Sequence, residues 1–203
     1  MTRELFAVEA SANLLPCDGQ VEDYGLIFNE ADADRYLHYL QQRLAWQPDQ
    51  VRLFGRSYQT ARQVAWYADQ AYCYVYSGVP RHAQPWLAGL YRLKQHIEQL
   101  VGHPFNSCLA NLYQDGQQGM GWHRDNEASL GTQPVIASLS FGASRKFRFK
   151  HVQLPHTVDT YLAHGQLIVM RGQTQQYWQH SLAKSSRVIE PRINLTFRYF
   201  YPA

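Results

Sequence analysis

His123, Arg124 and Asp125 stand in succession near the middle of the chain, and they carry the strongest chemical suggestion in it. In an extended segment, residues i and i+2 point to the same side, so His123 and Asp125 can reach one ion together. His180, 55 residues beyond Asp125 (180 − 125), is the leading third donor. Two imidazoles and one carboxylate on one face of an octahedral ion leave three positions open. This is the arrangement of non-haem Fe(II) oxygenases, in which a chelating co-substrate and dioxygen use the open positions. His-x-Asp alone is a weak signal, and His180 alone reads more simply as a core or surface histidine. The tail Arg192-Ile193-Asn194-Leu195-Thr196-Phe197-Arg198 adds a second pattern. On a strand, residues 192, 194, 196 and 198 share one face while the apolar residues take the other. Two inward arginines are costly unless they meet anions. A small dicarboxylate would satisfy both, because the planar guanidinium matches a carboxylate bidentately. A solvated surface strand explains the same alternation, and these residues alone leave both readings open.

Such side chains need a scaffold. Asn29 is placed to cap a helix running to about Trp46, with Ala33, Tyr36, Leu37, Leu40 and Leu44 on one face and Pro48 beyond it. A second helix is predicted over about 85–101, with Leu87, Leu90, Ile97 and Leu100 as its buried stripe. Residues 1–29 read as irregular, and 51–78 as short strands and loops ending at Gly78 and Pro80. From Asn106 the period changes to two. Ser107–Tyr113, Val135–Phe141, Lys146–Lys150, Thr157–Leu162, Gln166–Arg171 and Ile193–Tyr201 are predicted strands. Helices followed by many short strands indicate an α+β domain whose C-terminal half is a sandwich or barrel.

Composition bounds the answer without deciding it. At 203 residues the chain is one domain with appendages, long enough to bury a core without staples. Apolar residues at 45% and charged ones at 17% exclude a largely disordered chain. The three cysteines, Cys17, Cys73 and Cys108, are odd in number and widely spaced, which argues against a disulfide scaffold and for a reducing compartment. No apolar run reaches membrane-spanning length, and Glu4 and Glu9 interrupt any leader-like start. A soluble, intracellular and cytoplasmic protein is expected, with no membrane partner. A net charge of +3 with 14% aromatic residues permits a nucleic-acid partner, although a β-rich core accounts for the aromatics equally well.

The ordered motifs together are more specific. They are Asn111 through Glu127 (NLYQDGQQGMGWHRDNE), Ile136 through Ala143 (IASLSFGA), His164-Gly165, His180 and Arg192 through Arg198 (RINLTFR). Over about residues 50–201 the chain resembles the AlkB family of Fe(II)/2-oxoglutarate-dependent dioxygenases. The resemblance implies a double-stranded β-helix (jelly-roll) core, N-terminal helices and a nucleotide-recognition lid. Residues 1–50 would be an extension packed on the core, 51–84 the lid, and 85–203 the catalytic core. It also implies that His123, Asp125 and His180 hold Fe(II). Arg192 would pair with the distal carboxylate of 2-oxoglutarate and Arg198 would lie near its keto-acid end. Asn111, Tyr113 and Asn194 would hydrogen-bond it. With O2 as the oxidant, an N-alkyl carbon on a nucleobase is oxidised, with release of formaldehyde, succinate and CO2.

On the substrate side, a base inside a duplex must be flipped out to be reached. By resemblance, Tyr76 stacks on that base, Tyr74 lines its pocket and Glu127 faces its exocyclic amino group. Asn126 departs from the family pattern, which has an acid there. Leu53-Phe54-Gly55 resembles a finger that fills the gap left by a flipped nucleotide, with Arg62 as its helper; Phe54 as a core residue explains the run equally well. Conversely, Ser129-Leu130-Gly131 and the stretch 174–180 are closer to the single-strand-preferring, RNA-accepting member. Lys146, Arg148 and Lys150 alternate with Phe147 and Phe149, and read as a row of phosphate contacts or as a charged, solvated edge. His151, His156 and His164 read as structural. The expected activity is demethylation of 1-methyladenine and 3-methylcytosine in single- or double-stranded DNA, by a monomer. The alternatives are an RNA or tRNA demethylase, a non-catalytic nucleic-acid-binding jelly roll, and a zinc hydrolase, against which the paired arginines speak.

Overall fold

The computed structural model describes residues 12–53, 56–76 and 79–201. In chain order its first half forms β1 (Gln20–Leu26), α1 (Glu30–Arg43), β2 (Gln47–Leu53), β3 (Arg56–Ala68), β4 (Cys73–Tyr76), β5 (Val79–His82), β6 (Gln84–Pro85) and α2 (Ala88–Val101). The second half forms β7 (Ser107–Tyr113), β8 (Met120–His123), β9 (Ile136–Gly142), β10 (Arg145–His151), β11 (Thr157–Leu162) and β12 (Gln166–Arg171). It ends with α3 (Thr174–Tyr177), β13 (Trp178–Leu182) and β14 (Arg192–Arg198).

Two sheets face each other. The larger runs β1-β12-β9-β14-β7-β3-β2, with β6 beside β3, and the smaller runs β11-β10-β13-β8. This is the double-stranded β-helix. Apolar residues of both sheets, among them Tyr113, Ile136, Phe149, Ile168 and Trp178, fill the space between them. A second core lies between the helices and the other face of the large sheet, built from Leu40, Leu90, Leu93, Ile97, Ile193, Leu195 and Phe197. β14 therefore divides as its alternation requires: Ile193, Leu195 and Phe197 face the helices, while Arg192, Asn194, Thr196 and Arg198 line the cleft between the sheets.

Several elements differ from expectation for identifiable reasons. Asn29 does cap α1, accepting from the Asp32 amide at 2.8 Å, but the helix stops at Arg43. Trp46 folds back instead, its indole donating to the Leu40 carbonyl at 3.1 Å, and frees Gln47 to begin β2. α2 begins at Ala88 and ends at Val101, capped by Gly102, which takes the left-handed conformation (φ 66°) that favours glycine. Gln20–Leu26, inside the stretch read as irregular, is a strand. Its period is broken because the register slips between Asp23 and Leu26, which buries Val21 and Tyr24 three residues apart. Residues 56–68 form one 13-residue strand rather than several short ones. Gln63 through Ala68 pair with β7, so this part of segment 51–84 extends the large sheet, whereas β4 and β5 form a separate two-stranded ribbon. β8 and β13 are too short and too polar to show a period. Among the described residues, no helix is long and apolar enough to cross a membrane.

Candidate active site

His123 and His180 are opposite each other in the β8–β13 ladder, and their ring centroids lie 4.2 Å apart. Asp125 follows in the loop after β8, where the Gln175 Oε1 accepts its backbone N–H at 2.9 Å. Its Oδ1 is 3.9 Å from His123 Nε2, and donor atoms of all three residues fall within 4.8 Å of one another. The His123 Nδ1 lies 2.8 Å from the Gly121 carbonyl, which can only accept. Nδ1 therefore holds the proton and Nε2 offers its lone pair, the tautomer a metal ligand requires.

Electrostatics agree. Burial lowers the pKa of His180 to about 3, with a smaller contribution from His123, so it is a neutral imidazole. For Asp125 burial pushes upward, but Arg198, His180 and His123 outweigh it and hold the carboxyl below its ordinary value. Arg198 Nη1 is 3.8 Å from Asp125 Oδ2. His180 as a neutral imidazole and Asp125 as a carboxylate thus stand in forms that bind a cation.

The deep end of the same cleft has a different charge. Arg192 is 2% exposed, and its Nη2 donates to Ser140 Oγ at 2.9 Å. Its Nε is buried without a partner, and among the described residues no acid pairs with it. Burial lowers its pKa to about 10, which still leaves it charged at neutral pH. β14 sets Arg192 beside Tyr113 and Asn194 beside Asn111, so these four residues line one wall. Asn194 is held by Ser138 Oγ at 2.8 Å. At the other end, Glu127 is raised by burial; Arg198 opposes this and Asp125 adds to it. One of its carboxyl oxygens, Oε2, is buried with no partner.

The structure thus gathers His123, Asp125, Glu127, His180, Asn111, Tyr113, Arg192, Asn194 and Arg198 around one cleft of about 700 Å³, mouth included. Arg62 joins them as a wall residue. It is buried, pairs with Asp49, and contacts the Met120 sulfur. Lys146, Arg148 and Lys150 stand on the outer face of β10 instead, where Lys146 and Arg148 share Asp159 at 3.2 and 2.8 Å. The backbone of Tyr74 and Tyr76 lies on β4, paired with Arg81 and Val79. Phe54 lies outside the described residues.

Sequence reasoning missed Arg145. Its side chain is 1% exposed in the residue's total and donates to the carbonyls of Asp115, Gly116, Gln118 and Ala183 at 2.7–3.3 Å. It fastens the loop entering β8 to the end of β13, the two strands that carry the histidines. The signal was present: Arg145 shares strand parity with Phe147 and Phe149, the buried face. A second cluster, Cys17, Asp18 and His151, also brings three donors within 4.8 Å.

Residues 25–198 match the sequence model of the 2OG-Fe(II) oxygenase superfamily. The mouse protein named DNA oxidative demethylase ALKBH2 is 36% identical over 199 residues, covering 93% of this chain and 83% of that protein. The human Alpha-ketoglutarate-dependent dioxygenase alkB homolog 3 is 40% identical over 181 residues, covering 84% of this chain and 63% of the homologue. The solved structure of OsALKBH1 superposes with a TM-score of 0.64 over 94% of this chain and 100% of its own, at 14% identity, which bears on the fold alone.

Proposed function

The chain belongs to the 2OG-Fe(II) oxygenase superfamily, and from that premise we propose that it is a DNA oxidative demethylase, acting on N-alkylated bases such as 1-methyladenine and 3-methylcytosine. One juxtaposition supports this above all others: the His123, Asp125 and His180 set opens into the same cleft as a buried arginine that has no acid partner among the described residues. The first fits a divalent iron, and the second fits a carboxylate of 2-oxoglutarate. When bound, iron and the keto acid would supply with O2 the oxidation of an N-methyl carbon, which leaves the base as formaldehyde.

The chain's own residues do the positioning. His123, Asp125 and His180 hold the iron. Arg192 takes the distal carboxylate of the co-substrate, Arg198 lies at its keto-acid end, and Asn111, Tyr113 and Asn194 hydrogen-bond it. Phe147, Met120 and Leu182 line the cleft and exclude water. Glu127, with a buried oxygen lacking a donor, accepts the exocyclic N–H of the flipped base. Tyr74 and Tyr76 flank that base, and Phe54 fills the gap it leaves. Arg62 stands in the wall beside it. Both methyl lesions weaken pairing, which makes flipping cheaper.

The test is mass spectrometry of oligonucleotides carrying 3-methylcytosine, incubated with the protein, Fe(II), ascorbate and O2. Loss of one methylene's mass only when 2-oxoglutarate is added is the expected result. No loss on single-stranded DNA, duplex DNA or RNA would overturn the proposal, and the ranking of the three identifies the preferred strand. Arg192→Met should raise the 2-oxoglutarate requirement roughly 10- to 100-fold, the worth of a charge-assisted hydrogen-bonded pair. Phe54→Ala should slow duplex substrates more than single strands; equal losses would remove the wedge role.

A further inference from the structure

The outer face of the small sheet carries an arrangement that the cleft does not use. β8 is the edge strand of that sheet. The register shift in β8 breaks its alternation, so that His123 lines the cleft while Trp122 meets Arg148 on the outer face. Trp122 is 40% exposed, and the guanidinium of Arg148 lies 5.6 Å from its ring centroid. Arg148 and Lys146 both bind Asp159, and Lys146 lies 5.9 Å from the centroid of Tyr161, which is 61% exposed. Lys150 stands one place along, opposite Gln179 and Thr157. The result is a continuous band from β8 at the cleft to β11 at the far edge. Three strand spacings make it about 14 Å wide.

We propose that this band is a track for the single strand flanking the target base, with Trp122 and Tyr161 as stacking platforms and Lys146, Arg148 and Lys150 as phosphate contacts. The proposal deepens the dealkylase reading and rests on it for the identity of the strand. Charge complementarity supports it: three cations stand against one acid, Asp159. Asp159 accepts from the Nε of Arg148 at 2.8 Å, which holds the guanidinium on this face of the sheet. A solvated charged edge would account for the cations but not for two large rings interleaved with them. Aromatic rings alternating with cations match a chain of bases and phosphates. A duplex keeps its base faces stacked inside, so the rings select single strands.

The experiment is fluorescence anisotropy of undamaged oligothymidylates of about four and about sixteen nucleotides, and of a duplex of the longer length, with Mn(II) replacing iron. Tyr161→Ala should weaken the long single strand roughly 5- to 100-fold, the range measured for loss of one stacking residue. The short strand and the duplex should respond far less. Arg148→Ala should make the salt dependence of long-strand binding shallower by about 0.7 in log–log slope, as loss of one phosphate contact requires. Trp122→Phe should retain most of the affinity that Trp122→Ala loses. Melting curves check that each variant folds. If Tyr161→Ala and Arg148→Ala bind the long strand as tightly as the parent, with the same salt slope, the track is refuted. Demethylation by those variants would then leave the cleft's function standing. If the parent demethylates nothing but the variants still lose strand affinity, the track survives and the dealkylase reading falls.

Discussion

His123, Asp125 and His180 in the cleft, and Cys17, Asp18 and His151 at the end of β10, each bring three donor atoms within 4.8 Å. By proximity the two clusters are equivalent. They differ at the far nitrogen of the ring. His123 donates from Nδ1 to a carbonyl at 2.8 Å and keeps a lone pair at Nε2. His151 does the reverse: its Nδ1 accepts the backbone N–H groups of Gln153 and Leu154 at 3.1 and 2.9 Å. The proton must then sit on Nε2, which lies 3.3 Å from Asp18 Oδ2 without forming a hydrogen bond to it. To bind an ion through Nε2, His151 would have to become an imidazolate. One cluster is prepared for a cation; the other is a turn built around a buried acceptor, stacked on Tyr177 and edge-on to Trp178. Ligand proximity alone does not make a metal site; the partner at the second ring nitrogen decides.

The comparison breaks most visibly if the first cluster is dismantled. His123→Ala, Asp125→Ala and His180→Ala should each weaken Mn(II) binding, read by titration calorimetry, by more than the 10–100-fold that loss of an outer partner costs. Demethylation should vanish with the circular-dichroism spectrum intact; full binding by His180→Ala would remove it from the ligand set. Gln175→Leu, which deprives the Asp125 amide of its acceptor, should weaken Mn(II) roughly tenfold, since orientation rather than a ligand is lost. His151→Ala belongs to the other kind of cluster. It should leave Mn(II) affinity alone but lower stability to denaturant by about 3 kcal/mol, because two backbone donors and a buried ring lose their partners. Cys17→Ser should change neither quantity measurably, and a second bound ion lost on this substitution would contradict the tautomer assignment.

Much of this contrast was legible in the sequence. The period-two alternation of Arg192 through Arg198 placed the polar residues on one side and the apolar ones on the other, as β14 does, because a strand buried on both faces leaves no freedom in parity. The strands Ser107–Tyr113, Thr157–Leu162 and Gln166–Arg171 fall where their alternation or apolar run put them. β8 did not announce itself, since Met120-Gly121-Trp122-His123 has a glycine and a histidine where an apolar period would be. The acceptor role of the His151 Nδ1 depends on a turn that no local pattern reveals. Arg145 is legible by parity with Phe147 and Phe149, but a strand read as beginning at Lys146 leaves it outside the buried face.

β8 carries His123, one of the proposed ligands, on a strand at the edge of its sheet. It pairs with β13 through His180↔His123 and Leu182↔Met120, the register shifts between them, and its other edge has no strand neighbour among the described residues. Edges of this kind open locally long before a domain unfolds. An ion shared by His123 and His180 would rivet that edge to its neighbour, and every opening that separates the two rings would then have to release it. Amide hydrogen exchange at residues 120–123 is therefore expected to be fast in the metal-free protein and to slow as Mn(II) is added, while β9 and β14, buried in the middle of the large sheet, exchange at one slow rate throughout.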